Sequence, residues 1–149
     1  MGIPELLVQY ETTLIKSNLH VLPGRIMEAK KVLAAARGDF KDAESEREQE
    51  EAILMAAISA EVDPNTGKAA FSNDKARQAE LIVRKKLSPE YQEVEAAVTE
   101  AEREVNSAQF ELERLQDEYK SYRYVADLTA RELALYSDAG NGGSEKQAY

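Results

Sequence analysis

The 149 residues hold 28 Asp and Glu against 19 Lys and Arg, a formal net charge of -9, with 43% apolar and 32% charged side chains. That is apolar material for one ordinary domain or one extended helical rod, and the lack of cysteine excludes a disulfide framework, a thiolate zinc cluster and a thiol nucleophile. Only four prolines and seven glycines punctuate a chain rich in Ala, Glu, Leu, Lys and Arg, so the fold class to expect is all-α.

The chain opens Met-Gly-Ile-Pro-Glu-Leu, without the basic-then-apolar order of a signal peptide. Leu6 stands where a myristoylation signal needs Ser or Thr. Charge breaks every apolar stretch well short of the ~20 residues that span a bilayer. A cytoplasmic protein with no membrane association is the expectation. A first helix is predicted over about 4–21, with Ile3, Leu7, Tyr10, Leu14 and Val21 on its main face and Leu6, Ile15, Leu19 and Leu22 off it. Pro23-Gly24 is expected to break or kink it. A second helix, about 25–62, carries Ile26, Ala29, Leu33, Ala36, Phe40 and Ala43 in 3-4 rhythm. The rhythm lapses through the acidic run 44–51 and resumes at Ile53, Leu54, Ala57 and Ile58. Asp63-Pro64-Asn65-Thr66-Gly67 is a turn. Ser72, Asn73 or Asp74 then caps a short helix, about 74–87.

The clearest element follows. Ser88 is an N-cap, Pro89 suits the first helical position and Glu90 favours the helix N-terminus. From there Tyr91, Val98, Val105, Leu112, Tyr119, Ala126 and Leu133 recur every seven residues. Val94, Ala101, Ala108, Leu115, Tyr122, Thr129 and Tyr136 recur three residues further on. Sustained heptads predict a coiled-coil seam over about 89–136. Such a helix is roughly 72 Å long at ~1.5 Å per residue, so an elongated molecule is expected, with a disordered tail from 138 to 149.

The arms on either side of the turn are nearly equal, which predicts an antiparallel helical hairpin pairing residue i with about 137 minus i. That register sets the basic stretch 24–41 beside the acidic stretch 96–113, and the acidic run 44–51 near Lys85 and Lys86. Exposed pairs contribute only ~0.2–1 kcal/mol each. Their role is to select register, while the buried seam supplies stability.

Chemistry-bearing patterns are sparse. The single histidine, His20, lacks a Glu or His at metal-ligand spacing. No nucleophile-base pair has a recognisable frame, and the glutamates read as a solvated face. No catalytic, cofactor-binding or metal-binding residue is assigned, and no cofactor is expected. Ten carboxylates between Glu90 and Glu118 could imitate nucleic acid toward a basic partner, although the basic arm of the same chain answers part of that charge. The cations of 75–86 could meet phosphate. They lack interleaved aromatics for base stacking, so direct nucleic-acid binding is not expected.

Two surfaces invite protein partners. Phe110, Tyr124, Val125, Leu128 and Leu135 lie off the seam of the long helix, so that end needs a third neighbour. A second copy of the chain, through Tyr124, Val125, Leu128 and Leu135, is the favoured one, making the protein a homo-oligomer and most simply a dimer. The first helix is the other candidate. At the tip, Phe71, Ser72, Asn73 and Arg77 exceed what chain reversal requires and are the candidate partner-binding residues. The bland account makes Phe71 a lid between Ile58 and Leu81, Asn73 a cap, and Arg77 the partner of Glu61.

Ala70-Phe71-Ser72-Asn73, then Arg77 and Ala79, then Leu87-Ser88-Pro89-Glu90-Tyr91-Gln92 resemble small coiled-coil proteins of phages and prophages. Leu112-Glu113-Arg114-Leu115, with Tyr119 and Arg123, extends the likeness, which covers roughly 69–136. In that group an aromatic-Ser/Thr-Asn turn opens a short helix and a Pro-Glu-Tyr step opens a long heptad helix. The resemblance implies no enzymatic activity. It implies a place among phage early, replication or recombination functions in an infected or prophage-bearing bacterial cell. The expected function is therefore a non-enzymatic adaptor beside DNA recombination or replication proteins. The alternative is an inhibitor whose acidic rod blocks a host nuclease or defence complex.

Overall fold

The computed structural model describes residues 2, 4–5 and 11–145, with backbone alone over 141–145. Among the described residues the long helices are α1, Thr12–Ala60; α2, Asp74–Leu87; and α3, Pro89–Glu145. Among the described residues there is no strand, only an isolated antiparallel bridge between Val62 and Ala69. The chain forms two compact units, one of Met1–Lys31 with Phe110–Tyr149 and the other Val32–Gln109.

In the first unit the buried residues are Ile15 and Leu22 from α1 and Leu112, Leu115 and Thr129 from α3. The expected break at Pro23-Gly24 does not occur, and α1 runs straight through Pro23. An internal proline costs ~3 kcal/mol, but Leu22, only 1% exposed, recovers about 1.5–3 kcal/mol by itself. Ile15 adds to it. Pro23 sits exposed on the outer face, where its ring disturbs no packing.

Continuity also corrects the buried face. Without a break, the rhythm of Ile26, Ala29, Leu33 and Ala36 extends back through Leu22, Leu19, Ile15 and Thr12, all buried or half-buried. Leu14 and Val21, expected on the main face, are 51% and 45% exposed. The other expected face positions, Ile3, Leu7 and Tyr10, lie outside the described residues, as does Leu6.

A helix is predicted over 4–21; α1 begins at Thr12, directly after Glu11, whose φ of 51° is left-handed. That conformation costs a non-glycine residue about 1–3 kcal/mol, and it takes Glu11 out of the helix while its carbonyl accepts from the Ile15 N–H at 3.1 Å. At the other end α3 continues past Tyr136 to Glu145, where a disordered tail is expected from 138. Glycine costs ~1 kcal/mol per position relative to alanine; with no proline after Pro89, that is a graded penalty and not a stop. Residues 146–149 lie outside the described ones.

In the second unit the buried residues are Leu33, Ala36 and Ile58 from α1, Leu81 from α2, and Tyr91, Val98, Ala101 and Ala108 from α3. Arg37 donates to Gln109 at 3.2 Å and Arg47 to Glu95 at 3.5 Å. Partner numbers fall as residue numbers rise, so α1 and α3 are antiparallel. The turn forms as its sequence dictates. The Asn65 N–H donates to the Asp63 side chain at 2.9 Å, the Gly67 N–H to the Asp63 carbonyl at 2.8 Å, and Gly67 takes a φ of 67°. A side chain at that φ is strained, so glycine is required there. Ser88 alone separates α2 from α3; its hydroxyl accepts from the Tyr91 N–H at 3.2 Å, as an N-cap does.

Candidate interaction surfaces

The tip combines a cap, a half-buried ring and an ion-pair cluster. Asn73 caps α2, its side chain accepting from the Ala76 N–H at 2.8 Å. Phe71 is half-buried, neither a sealed lid nor a free side chain. The Arg77 guanidinium donates to the Phe71 carbonyl at 3.3 Å. It therefore holds the loop against α2, and the partner of Glu61 is Arg84 instead. Arg84 also donates to Glu80 at 2.9 Å and stands 5.8 Å from the centroid of the Phe71 ring. Hydrogen bonds first from Glu61 and then from Glu80 hold the Arg84 pKa above its ordinary value. Ser72 is exposed.

A polar layer follows where the apolar rhythm of α1 lapses. Lys85 pairs with Glu51 at 2.8 Å and lies 5.3 Å from the centroid of Tyr91. Tyr91 donates its hydroxyl to Glu95 at 3.3 Å, and Glu95 takes Arg47 as well. Burial works against the Lys85 ammonium, but the hydrogen bond and charge of Glu51, together with Tyr91, outweigh it and raise its pKa. The acidic run 44–51 therefore meets the end of α2 as its charge predicts. The register holds near position 51, expected to face 86 and found with Lys85. It drifts away from the tip, since Arg37 reaches Gln109 and not the neighbourhood of position 100.

With Arg84 and Lys85 turned inward, the opposite face of α2 presents Lys75, Ala79, Ile82, Val83 and Lys86, all exposed. Ile82 is 58% exposed. The positions follow i, i+4, i+7, i+8 and i+11 and so form one stripe. The same spacing rule separates the inward cations of α2 from its outward ones.

In the first unit, Tyr124 is 66% and Leu135 69% exposed, with Val125 and Leu128 exposed to a lesser degree. On the same helix the seam positions Leu112, Leu115, Tyr119, Tyr122, Ala126, Thr129 and Leu133 are buried or half-buried. A groove of about 260 Å³ lies beside this stripe, lined by Glu11, Leu14, Ile15, Ser121, Tyr122 and Val125.

His20 is exposed. Among the described residues, no group of three or more His, Asp or Glu side chains is placed to hold a metal ion, and no helix is long and apolar enough to cross a membrane. Comparison with family models, with curated proteins and with solved structures found no match.

Proposed function

We propose that the chain is a non-enzymatic protein–protein interaction protein, an adaptor of phage or mobile-element origin that works beside DNA recombination or replication proteins. Its scaffold is an antiparallel coiled-coil hairpin that associates with a second copy through α3. The observation carrying this reading is the exposure of Tyr124, Val125, Leu128 and Leu135 on a helix whose seam side chains are covered as far as Leu133, the last expected seam residue, Tyr136, being 56% exposed. Large apolar side chains grouped on one face mark a surface that gains by being covered. The phage setting rests on the resemblance over 69–136, and the tip residues Phe71, Ser72, Asn73 and Arg77 are the partner-binding surface.

Replacing Tyr124 and Leu128 together by Glu should shift the protein from dimer to monomer in sedimentation, with helicity retained. A parent that is monomeric at high concentration overturns self-association. Capture from prophage-bearing cells tests the adaptor role, which requires recombination or replication proteins in the captured fraction. The exposed carboxylates Glu93, Glu102 and Glu104 on α3 favour a second reading. In it the acidic helix blocks a basic groove of a host nuclease or defence complex, and capture of such a protein would select it.

A further inference from the structure

The end of α1 and the outward face of α2 are more apolar than a solvated surface needs, and the two carry opposite charge. From Ala52 to Ile58 every residue of α1 is apolar, and a helix apolar all round is one covered on all sides. Leu54 and Met55 are half-buried and Ile58 is fully buried, which leaves Ile53, at 60% exposure, with Ala56 and Ala57 uncovered. The uncovered line continues back along α1 through Gln49, Glu46 and Asp42, all exposed. Asp42, Glu46, Gln49, Ile53 and Ala57 stand at i, i+4, i+7, i+11 and i+15, one stripe whose ionisable groups are acidic. The stripe of α2 is its counterpart: Ile82 and Val83 are 58% and 48% exposed, and its ionisable groups, Lys75 and Lys86, are basic. Among the described residues, Asp42, Glu46, Lys75 and Lys86 take part in no ion pair.

We infer that the α2 stripe of one chain docks on the α1 stripe of a second copy. Both stripes face away from the core of their own unit, so α2 cannot reach the α1 stripe of its own chain. Seven residues separate Glu46 from Ile53, and seven separate Lys75 from Ile82. Parallel helices therefore set Lys75 beside Glu46 and Ile82 beside Ile53 in one register. Lys86 then lies along Ala57, its stem on the alanine and its ammonium in water. The alanines admit the branched Ile82 and Val83, since a small residue opposite a large one lets two helices close up. Asp42, one turn before Glu46, adds to the negative field that Lys75 meets. Unlike faces meet, so the contact is heterologous and does not rest on the self-association of α3. A helix of 14 residues is about 21 Å long and ~10 Å wide, so one face falls short of the roughly 800 Å² per partner of a standard interface. The contact is transient, and trapping reads it where sedimentation does not.

The chain has no cysteine, so full-length Ile53→Cys and Ile82→Cys variants can be prepared separately, mixed and mildly oxidised. A disulfide between positions 53 and 82, identified by peptide mass, should form in several-fold excess over either like pair. A statistical mixture, or an excess of a like pair, overturns the inference. Adding Lys75→Glu to the Ile82→Cys chain should lower the yield several-fold, and adding Glu46→Lys to the Ile53→Cys chain should restore it. A yield indifferent to both charges marks chance collision and overturns the inference as well. The substituted side chains are all exposed, and an unchanged circular dichroism spectrum verifies that each variant is folded. The same pattern should persist with Tyr124→Glu and Leu128→Glu in both chains, whatever sedimentation shows for that pair. Loss of the disulfide there would make this contact a by-product of α3 association and overturn it, so the two proposals fail separately.

Discussion

The two units use one heptad repeat with different materials. In the unit of Met1–Lys31 and Phe110–Tyr149, Ile15, Leu22, Leu112 and Leu115 are the buried apolar side chains, and the ion pairs of Arg114 with Glu111 and Glu118 stay within α3. In Val32–Gln109 alanines take many seam positions, at Ala36, Ala101 and Ala108, and charges cross from helix to helix through Arg47–Glu95 and Lys85–Glu51. Large side chains generate burial but tolerate sliding, since one leucine layer resembles the next. Small side chains generate less burial and bring backbones close, and a polar layer between them tolerates only the register that pairs its charges. The first unit therefore depends on apolar contact, while the second owes more of its specificity to charge.

The strongest way to break that comparison is to remove one fully buried side chain from each unit. Leu22→Ala and Ile58→Ala, at 1% and 0% exposure, should each cost about 2–5 kcal/mol, read from denaturant midpoints by circular dichroism. If Leu22→Ala proved mild, packing could not explain why α1 tolerates Pro23. Phe71→Ala comes next. A half-buried ring should cost roughly 1–2 kcal/mol, about half the value for full burial. Capture of the partner should fall as well if the tip is the binding surface; lost stability with capture intact would reduce Phe71 to a packing residue.

Smaller effects test the polar layer. Glu51→Gln and Lys85→Met should each cost about 0.2–1 kcal/mol, with a double-mutant coupling that shrinks as salt is added. Apolar contact without charge would leave no coupling. The smallest effect is in pH. Because the folded-state pKa of Lys85 is raised, its stabilisation is complete below the unfolded lysine value and is lost as pH rises through the folded one. The stability difference between the parent and Lys85→Met should therefore narrow at strongly alkaline pH and stay flat near neutrality. At Glu111 the sign is opposite. Its pKa is lowered by the hydrogen bond from Arg114, so that contribution fades only in acid, and Glu111→Gln should narrow the acid-side loss slightly.

Much of the architecture is decided by local rules. Asn73 and Ser88 cap because their oxygens reach N–H groups three residues on, Gly67 turns because it alone takes a positive φ freely, and the heptads of α3 are a matter of spacing. These need no knowledge of the rest of the chain. The errors fall where a local cost was weighed against an unseen burial. Pro23 looks like a break until Leu22 is known to be fully covered, although the rhythm from Ile26 back to Ile15 was already present in the sequence. The apolar excess of Tyr124, Val125, Leu128 and Leu135 was legible for the same reason of spacing, but their exposure was not. Nor could composition show which arginine answers Glu61. Arg77 and Arg84 lie on the same helix, and only the positions of the Phe71 carbonyl and the Glu61 carboxylate assign one to each. Spacing determines which side chains share a face; burial and ion pairing depend on what that face meets, and that is settled only when distant parts of the chain come together.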